Sequence, residues 1–299
     1  MHIIYNLLTQ VEKGRREMTR KIKIVTDSTA DLPHEYVREH GIHVVPLYVN
    51  FSHGTYRDGV DIQPRDFYPM LQEANNDTLP KTSTPSIDDF IKTYEPILKE
   101  GYDILSIHIS SGLSSTASIA EAAARKLSGT IHVFDSKSIS LGIGLQVCEA
   151  LEMIRNNLSM ENILEGLHEL RQRTEVLFSL DTLEYLQKGG RIGKVSALLG
   201  TILSIKPIVR VENGCYIPLD KARNQKQAIN KMVNHMVAIL GDNVPQHIAV
   251  AHGAAEEAAH ALKQLAEETM GMKVSFFKET GPVVGVHTGP GTLGLAFLY

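Results

Sequence analysis

The 299-residue sequence has no Trp, only two Cys and 6% aromatic residues. Two cysteines, Cys148 and Cys215, cannot staple a chain of this length, so a reducing, cytoplasmic setting is expected. So few aromatics leave no stacking platform for single-stranded nucleic acid. An excess of one charge is also missing. The formal net charge is −4, which excludes a general nucleic-acid binder. Long apolar runs are absent as well. The longest stretches without Asp, Glu, Lys or Arg are residues 104–120 and 280–299. The first carries six Ser, and the second five Gly and two Pro, so neither can cross a bilayer and no stable membrane insertion is expected. Residues 1–17 do not read as a signal peptide. Their apolar run is short, and Lys13, Arg15 and Arg16 follow it instead of preceding it. They read as an N-terminal extension to a domain that starts at Met18.

The common catalytic motifs are missing too: no Walker A loop, no H-E-x-x-H, no C-x-x-C, no G-x-S-x-G elbow. His252 and His260 do not form a metal pair, and no metal or cofactor is expected. A literal G-x-G-x-x-G occurs at Gly289–Gly294, but the chain ends five residues later. A dinucleotide site needs a helix after the motif and an acid about 20 residues on. The segment HTGPGTLG (287–294) is expected instead to be a loop whose glycines permit positive φ and close backbone approach.

What the chain does have is 43% apolar and 21% charged residues, enough for a core in one large domain or two ordinary ones. β-Branched runs read as strands at 21–27, 44–51, 103–109, 131–135, 176–180, 207–211, 216–219, 248–252, 273–277 and 293–298. Helical patterns alternate with them at 33–40, 64–74, 87–99, 115–127, 139–157, 160–172, 194–204, 225–240 and 254–270. Asp31, Ser86 and Ser159 read as helix caps. The alternation predicts an α/β protein of two domains. Residues 18–158 form a mostly parallel first domain with an excursion at 51–80. Residues 159–299 form a second domain with a mixed sheet. Asn213-Gly214 predicts a tight hairpin.

Three hydroxyl-rich loops stand out in the first half: TDSTAD (26–31), TSTPS (82–86) and SSGLSST (110–116). The last follows a strand and precedes a helix, where hydroxyls and free N–H groups suit an anion such as phosphate or carboxylate. Capping alone accounts for one of its hydroxyls. In the second half, Lys188-Gly189-Gly190-Arg191 reads either as a helix end or as a backbone nest with an Arg clamp. From Lys188 to Lys231 nine Lys/Arg face two acids, a local +7. That is a solvated face or a surface for an acidic partner.

In order along the chain, IVTDSTADLP (24–33), YRDGVDI (56–62), KTSTPS (81–86), ISSGLSSTASIA (109–120), VFDSKSIS (133–140), LEYLQKGGRI (183–192), KPIVRVENG (206–214), KAR (221–223) and HTGPG (287–291) resemble the DegV family of bacterial fatty-acid-binding proteins, the FakB-type subunits of fatty acid kinase. The resemblance runs from about Lys21 to Tyr299. It implies two α/β domains with a lipid between them. The bound fatty acid is the ligand, its carboxylate at the domain junction and its tail buried. The chain presents the head group to a kinase catalytic subunit, which makes an acyl phosphate for phospholipid synthesis. A downstream acyltransferase is a further implied partner, and the chain has no activity of its own.

By the same resemblance, Thr82, Ser114, His287 and Arg191 hold the carboxylate, while Arg223 with Lys221 meets the partner. Asp27, Ser28, Ser83, Ser115, Gly189, Gly190, Thr288 and Gly289 belong to the supporting loops. Ser115 stands where the family pattern has Gly, and Thr84 where it has Gln. Val195, Leu198, Leu199, Ile202 and Leu203 suit a tunnel wall, or ordinary core packing. Two other readings compete: a serine acyl hydrolase using Ser114 and His287, and a phosphorylated-metabolite binder using Lys188, Arg191 and Arg223.

Overall fold

The computed structural model describes residues 21–75, 78–198 and 205–299. Residues 1–17 and the tunnel-wall candidates Leu199, Ile202 and Leu203 lie outside the described residues.

The first half is built on a four-stranded parallel sheet, β1 (Ile22–Asp27), β2 (His43–Val45), β6 (Asp103–His108) and β7 (Ile131–Asp135), in the order β2-β1-β6-β7. β1 and β6 are central, and both faces of β6 are covered, so its apolar run is nearly continuous. Helices α1 (His34–Glu39), α3 (Ile87–Lys99) and α4 (Thr116–Ala124) flank this sheet. Ser86 opens α3 with a full capping box: its hydroxyl accepts from the Asp89 N–H at 3.1 Å, and the Asp89 carboxylate accepts from the Ser86 N–H at 2.8 Å.

The excursion is a small antiparallel sheet of β3 (Tyr48–Phe51), β4 (Gly54–Arg57) and β5 (Lys81–Ser83), order β4-β3-β5, with helix α2 (Pro64–Glu73) beside it. The single strand expected over 44–51 is therefore two strands in different sheets. Pro46 lies between them and cannot donate a ladder hydrogen bond.

The second half carries a six-stranded mixed sheet. Its members are β8 (Thr174–Ser179), β9 (Lys206–Glu212), β10 (Cys215–Ala222), β11 (His247–His252), β12 (Phe276–Glu279) and β13 (Leu293–Leu298), in the order β10-β9-β8-β13-β11-β12. Only β11–β12 is a parallel pair. The β9–β10 hairpin turns at Asn213 (φ 50°) and Gly214 (φ 79°), the positive pair that a two-residue Asn-Gly turn needs. Helices α8 (Gln225–Leu240) and α9 (Glu256–Met270) cover the outer face.

Between the two large sheets lie α5 (Leu141–Arg155) and α6 (Met160–Gln172). One apolar core joins Ile24, Ile107, Leu145, Leu167, Phe178 and Ala296 through them. At Gly142 the helix α5 approaches β8 closely: a β-carbon there would overlap the Ser138 and Val176 side chains. Two short helices complete the second half, α7 (Glu184–Lys188) and α10 (Pro282–Thr288). No described helix is long and apolar enough to cross a membrane.

Candidate functional site

Helix α10 was not expected; residues 287–294 read as a loop. It forms although Val283, Val284, Val286 and Gly285 are poor helix residues, because its neighbours impose it. It packs against α2, α7, β3 and β5. A β-carbon on Gly285 would lie 2.6 Å from Phe67 Cε1 and 2.9 Å from the Tyr68 hydroxyl. Only glycine lets the aromatic side chains of α2 approach that closely. The GPG segment begins where the helix stops, with Gly289 at φ 74° and Gly291 at φ 82°.

The packing of α10 brings His287 to Thr82, 205 residues away: His287 Nε2 and Thr82 Oγ1 are 2.8 Å apart. Thr82 sits on β5 paired with Val49, and strand alternation turns its neighbour Ser83 outward. Ser83 is exposed and its hydroxyl meets Asn50 at 3.1 Å, so Ser83 is not part of the pocket. His287 Nδ1 is buried with no hydrogen-bond partner, pressed against Gly189, whose added β-carbon would overlap it. A bare buried lone pair is tolerated better than a bare buried N–H. The proton therefore belongs on Nε2, which donates to Thr82 Oγ1 and leaves the Thr82 O–H to donate onward. Burial, with Arg191 nearby, lowers the His287 pKa from 6.5 to about 4.

Arg191 is exposed. Its guanidinium donates to the Gly189 carbonyl at 2.8 Å and the Leu113 carbonyl at 3.4 Å. This fixes it at the mouth of a cavity lined by Thr29, Leu47, Thr82, Leu113, Ser114, Tyr216 and His287, among others. All four residues expected at a carboxylate, Thr82, Ser114, His287 and Arg191, line this one cavity.

Most of the serine-rich loop has other work. Ser110 Oγ donates to the Gly214 carbonyl at the hairpin tip, 2.7 Å away. Ser111 accepts from Lys137 Nζ at 2.8 Å. Ser114 Oγ lies 2.8 Å from Thr116 Oγ1 and accepts from the Thr116 N–H at 3.3 Å. Ser115 is exposed at the start of α4 and makes no side-chain cap bond. Of the hydroxyls in this loop, only Ser114 reaches the cavity.

The TDSTAD loop contributes through Thr29, which the motif reading did not single out. Asp27 Oδ1 accepts from both the N–H and the hydroxyl of Thr29. Asp27 Oδ2 accepts from His108 Nδ1 at 2.9 Å and from the Ile109 N–H at 3.0 Å. His108 Nε2 in turn meets Ser106 Oγ at 2.6 Å, and Ser106 meets Tyr94 at 2.7 Å. This buried chain holds Thr29 in the cavity wall; Asp27 is a support, not a wall residue. Ser28 accepts from the Leu47 N–H at 3.1 Å and faces a different pocket. Asp31 does not cap α1, whose N-cap is Pro33. Its carboxylate turns to Ser140 and Gly281.

A second cavity adjoins the first. It is lined by Leu141, Val176, Phe178, Ala249, Ala251, Thr288, Gly294 and Ala296, among others, and shares Ile139, Tyr216 and Val284 with the polar cavity. Two cross-strand pairs of small residues, Ala251–Gly294 and Ala249–Ala296, are among the β11 and β13 residues lining it. Thr288 adds no free hydroxyl, since its Oγ1 donates to the Val284 carbonyl at 3.1 Å. Each cavity is narrow, about 30 Å³, space for about two waters. Gly289 lets the Tyr185 ring pack against the GPG turn, and Gly190 takes φ 68° in open space.

Several cations of the basic stretch are neutralised by acids outside it. Lys188 pairs with Glu184, Lys206 with Asp181, and Arg210 with Glu175 at 2.5 Å. Lys221, Arg223 and Lys226 make no ion pair among the described residues, and Lys221 and Arg223 are exposed outside both cavities. Lys188, Arg191 and Arg223 are not brought into one pocket. Nor do Ser114 and His287 form a hydrolase pair: His287 Nε2 is engaged by Thr82 and no acid meets Nδ1. Among the described residues no cluster could hold a metal ion.

The chain matches the DegV family, described as an uncharacterised protein family, over residues 21–299. The chain belongs to this family. A DegV-family structure from Thermus thermophilus, described by its fatty acid binding, is 37% identical. It covers 93% of this chain and 100% of its own, with a TM-score of 0.86. DegV of Bacillus subtilis, described as a fatty acid binding protein, is 34% identical over 94% of this chain and 100% of its own, TM-score 0.85. A stearic acid-binding protein from Eubacterium ventriosum is 27% identical over 93% and 98%, TM-score 0.87.

The low pKa of His287 has a testable consequence for this DegV protein. The folded value, about 4, lies below the ordinary 6.5, so the folded state binds fewer protons than the unfolded one. The neutral imidazole's contribution is full above pH 6.5 and is lost as pH falls toward 4. Imidazole NMR is expected to show His287 neutral at pH 6 with its proton on Nε2. A midpoint above 6 would contradict the burial argument.

Proposed function

We propose that this protein binds a long-chain fatty acid, with the carboxylate at Thr82, Ser114, His287 and Arg191 and the acyl chain in the apolar cavity between the two sheets. The observation that carries this reading is the adjacency of the two cavities, which share Ile139, Tyr216 and Val284 as walls. One cavity carries the polar side chains Thr82, Ser114, Arg191 and His287, and the other is walled mostly by apolar residues. Three structural neighbours described as fatty acid or stearic acid binders support it. A carboxylate held by hydroxyls and a neutral histidine relay, with Arg191 tied to carbonyls at the rim, is bound without a tight buried ion pair and keeps its nucleophilicity. The tail dominates affinity, at roughly 0.8 kcal/mol per buried methylene. In so narrow a passage the chain enters as the walls part.

The head group opens beside Arg191. The second half of the proposal is that a fatty acid kinase reaches it there and phosphorylates the bound acid to an acyl phosphate, as in FakB-type subunits. A downstream acyltransferase then uses the product. The protein acts in the cytoplasm, and its two domains divide between α5 and α6, near residue 158. Lys221 and Arg223, exposed outside the cavities, are the proposed partner contacts. Arg223→Ala is expected to leave palmitate loading within twofold of the parent and to cut kinase-dependent acyl phosphate formation at least tenfold. Equal loss of both would make Arg223 a binding or folding residue instead.

A further inference from the structure

Helix α10 is anchored at its start as well as at His287. The Gly281 N–H donates to Asp31 Oδ1 at 2.7 Å, and Ser140 Oγ donates to Asp31 Oδ2 at 2.5 Å. A β-carbon on Gly281 would lie 3.0 Å from Asp58 Oδ1 and 3.2 Å from Asp31 Oδ1. Two carboxyls from the first half therefore flank one glycine of the second. Both are buried, Asp31 3% and Asp58 2% exposed, and Asp58 Oδ2 has no hydrogen-bond partner.

The other charged and titratable groups around the pair do not neutralise it. Lys278 Nζ donates to the Leu32 carbonyl at 3.0 Å and is the ammonium that acts on both acids. Asp27 adds negative charge but is held by His108 at 2.9 Å. Tyr68 donates to or accepts from Thr280 Oγ1 at 2.7 Å, and the Glu279 carboxylate accepts from the Ala254 N–H at 3.2 Å. His34 lines the adjoining pocket with Ser28 and Gln63. Two buried acids thus face one ammonium. Burying two carboxylate charges against one ammonium is costly, and a proton on one of them removes that buried charge.

We propose that Asp31 and Asp58 are positioning residues, a buried pair that keeps a proton near neutral pH, clasps the start of α10 and thereby holds His287 at Thr82. The effect on ligand binding rests on the fatty-acid reading; the retained proton does not. Burial raises Asp31 to about 6 and Asp58 to about 7, against the lowering effect of Lys278 and their hydrogen bonds. The folded values exceed the ordinary carboxylate value, so the clasp is at full strength below about pH 4. It is lost as pH rises through 6 to 7. Above that range both acids ionise side by side, α10 loosens, and the carboxylate site with it. His287, whose folded pKa is near 4, stays neutral across the interval in which the acids ionise.

The test uses the full chain and palmitate, with the parent protein and Asp58→Asn compared at pH 6 and pH 8.5, so that the ligand's own titration cancels. The parent is expected to lose affinity threefold to tenfold across that interval. Asp58→Asn, which cannot ionise, is expected to show a pH 6 to pH 8.5 affinity ratio at least threefold smaller than the parent's. Infrared spectra of protein with ¹³C-labelled Asp give a second readout without ligand. A protonated carboxyl band is expected in the parent at pH 6 and lost at pH 8.5; its Asp58 share is expected to be missing from the variant. Equal pH ratios in the two proteins, or no protonated carboxyl in the parent at pH 6, would overturn the proposal. Absence of palmitate binding at either pH would overturn the fatty-acid reading, and the infrared band would then decide the acid pair alone.

Discussion

Ala251→Phe is expected to weaken palmitate binding by about 10²–10³-fold while sparing octanoate. Ala251 lines the apolar cavity and pairs across strands with Gly294. On β8, Phe178 and Val176 stand opposite Gly294 and Ala296. Small residues leave this part of the passage open between larger walls. A phenyl ring at Ala251 blocks the passage beyond Val284 and excludes about four or five methylenes, a loss of roughly 3–4 kcal/mol. Overpacking the core also costs about 1–3 kcal/mol of fold stability, which a melting curve separates from the ligand effect. Titrations with acids of increasing chain length give the readout. The account requires the loss to grow with length; a uniform loss at all lengths would place the tail elsewhere.

The second large effect concerns the head group and comes as a pair of glycine substitutions. A β-carbon on Gly189 would overlap His287 Nδ1 and lie 2.9 Å from the Tyr185 carbonyl. Gly189→Ala is therefore expected to push the imidazole off Thr82, with an affinity loss of about tenfold to a hundredfold. That is the scale of one hydrogen bond to a charged group, about 1.5–3 kcal/mol. Gly190 is the internal control. Its φ is 68° and nothing lies near its missing β-carbon, so Gly190→Ala strains the backbone by about 1 kcal/mol. It should lower the melting temperature with affinity within twofold of the parent. If both variants lost affinity equally, the contact between Gly189 and His287 would not be what positions the histidine.

Which parts of the fold could be read from the sequence depended on how local their cause is. The Asn213-Gly214 turn and the Ser86 cap are set by a few adjacent residues, and both were legible. The parallel sheet was legible because β1, β6 and β7 are apolar runs separated by helical periods. α10 was not, because Gly285 and three valines argue against a helix locally, and only the packing of Phe67 and Tyr68 overrides them. Asp31 looked like a cap because it stands two residues before a helix. Its partners Ser140 and Gly281 are 109 and 250 residues away, beyond the reach of any spacing rule. β5 has three residues, too few to reveal the alternation that turns Thr82 inward and Ser83 out.

The site shows the same division. The hydroxyl-rich loops signalled an anion, but their residues alone could not say which hydroxyl serves it. Ser110 and Ser111 hold neighbouring segments, and Ser114 lines the cavity. The meeting of Thr82 with His287 across 205 residues came only from family resemblance. The apolar cavity required knowing that Ala249, Ala251, Gly294 and Ala296 are cross-strand partners.

The most direct test of the central claim is mass spectrometry of the protein purified from lipid-replete cells and then denatured, with the released small molecules identified. The account predicts about one long-chain fatty acid per chain, and its loss in Ala251→Phe. Finding no fatty acid, together with no binding of added palmitate or oleate, would contradict it.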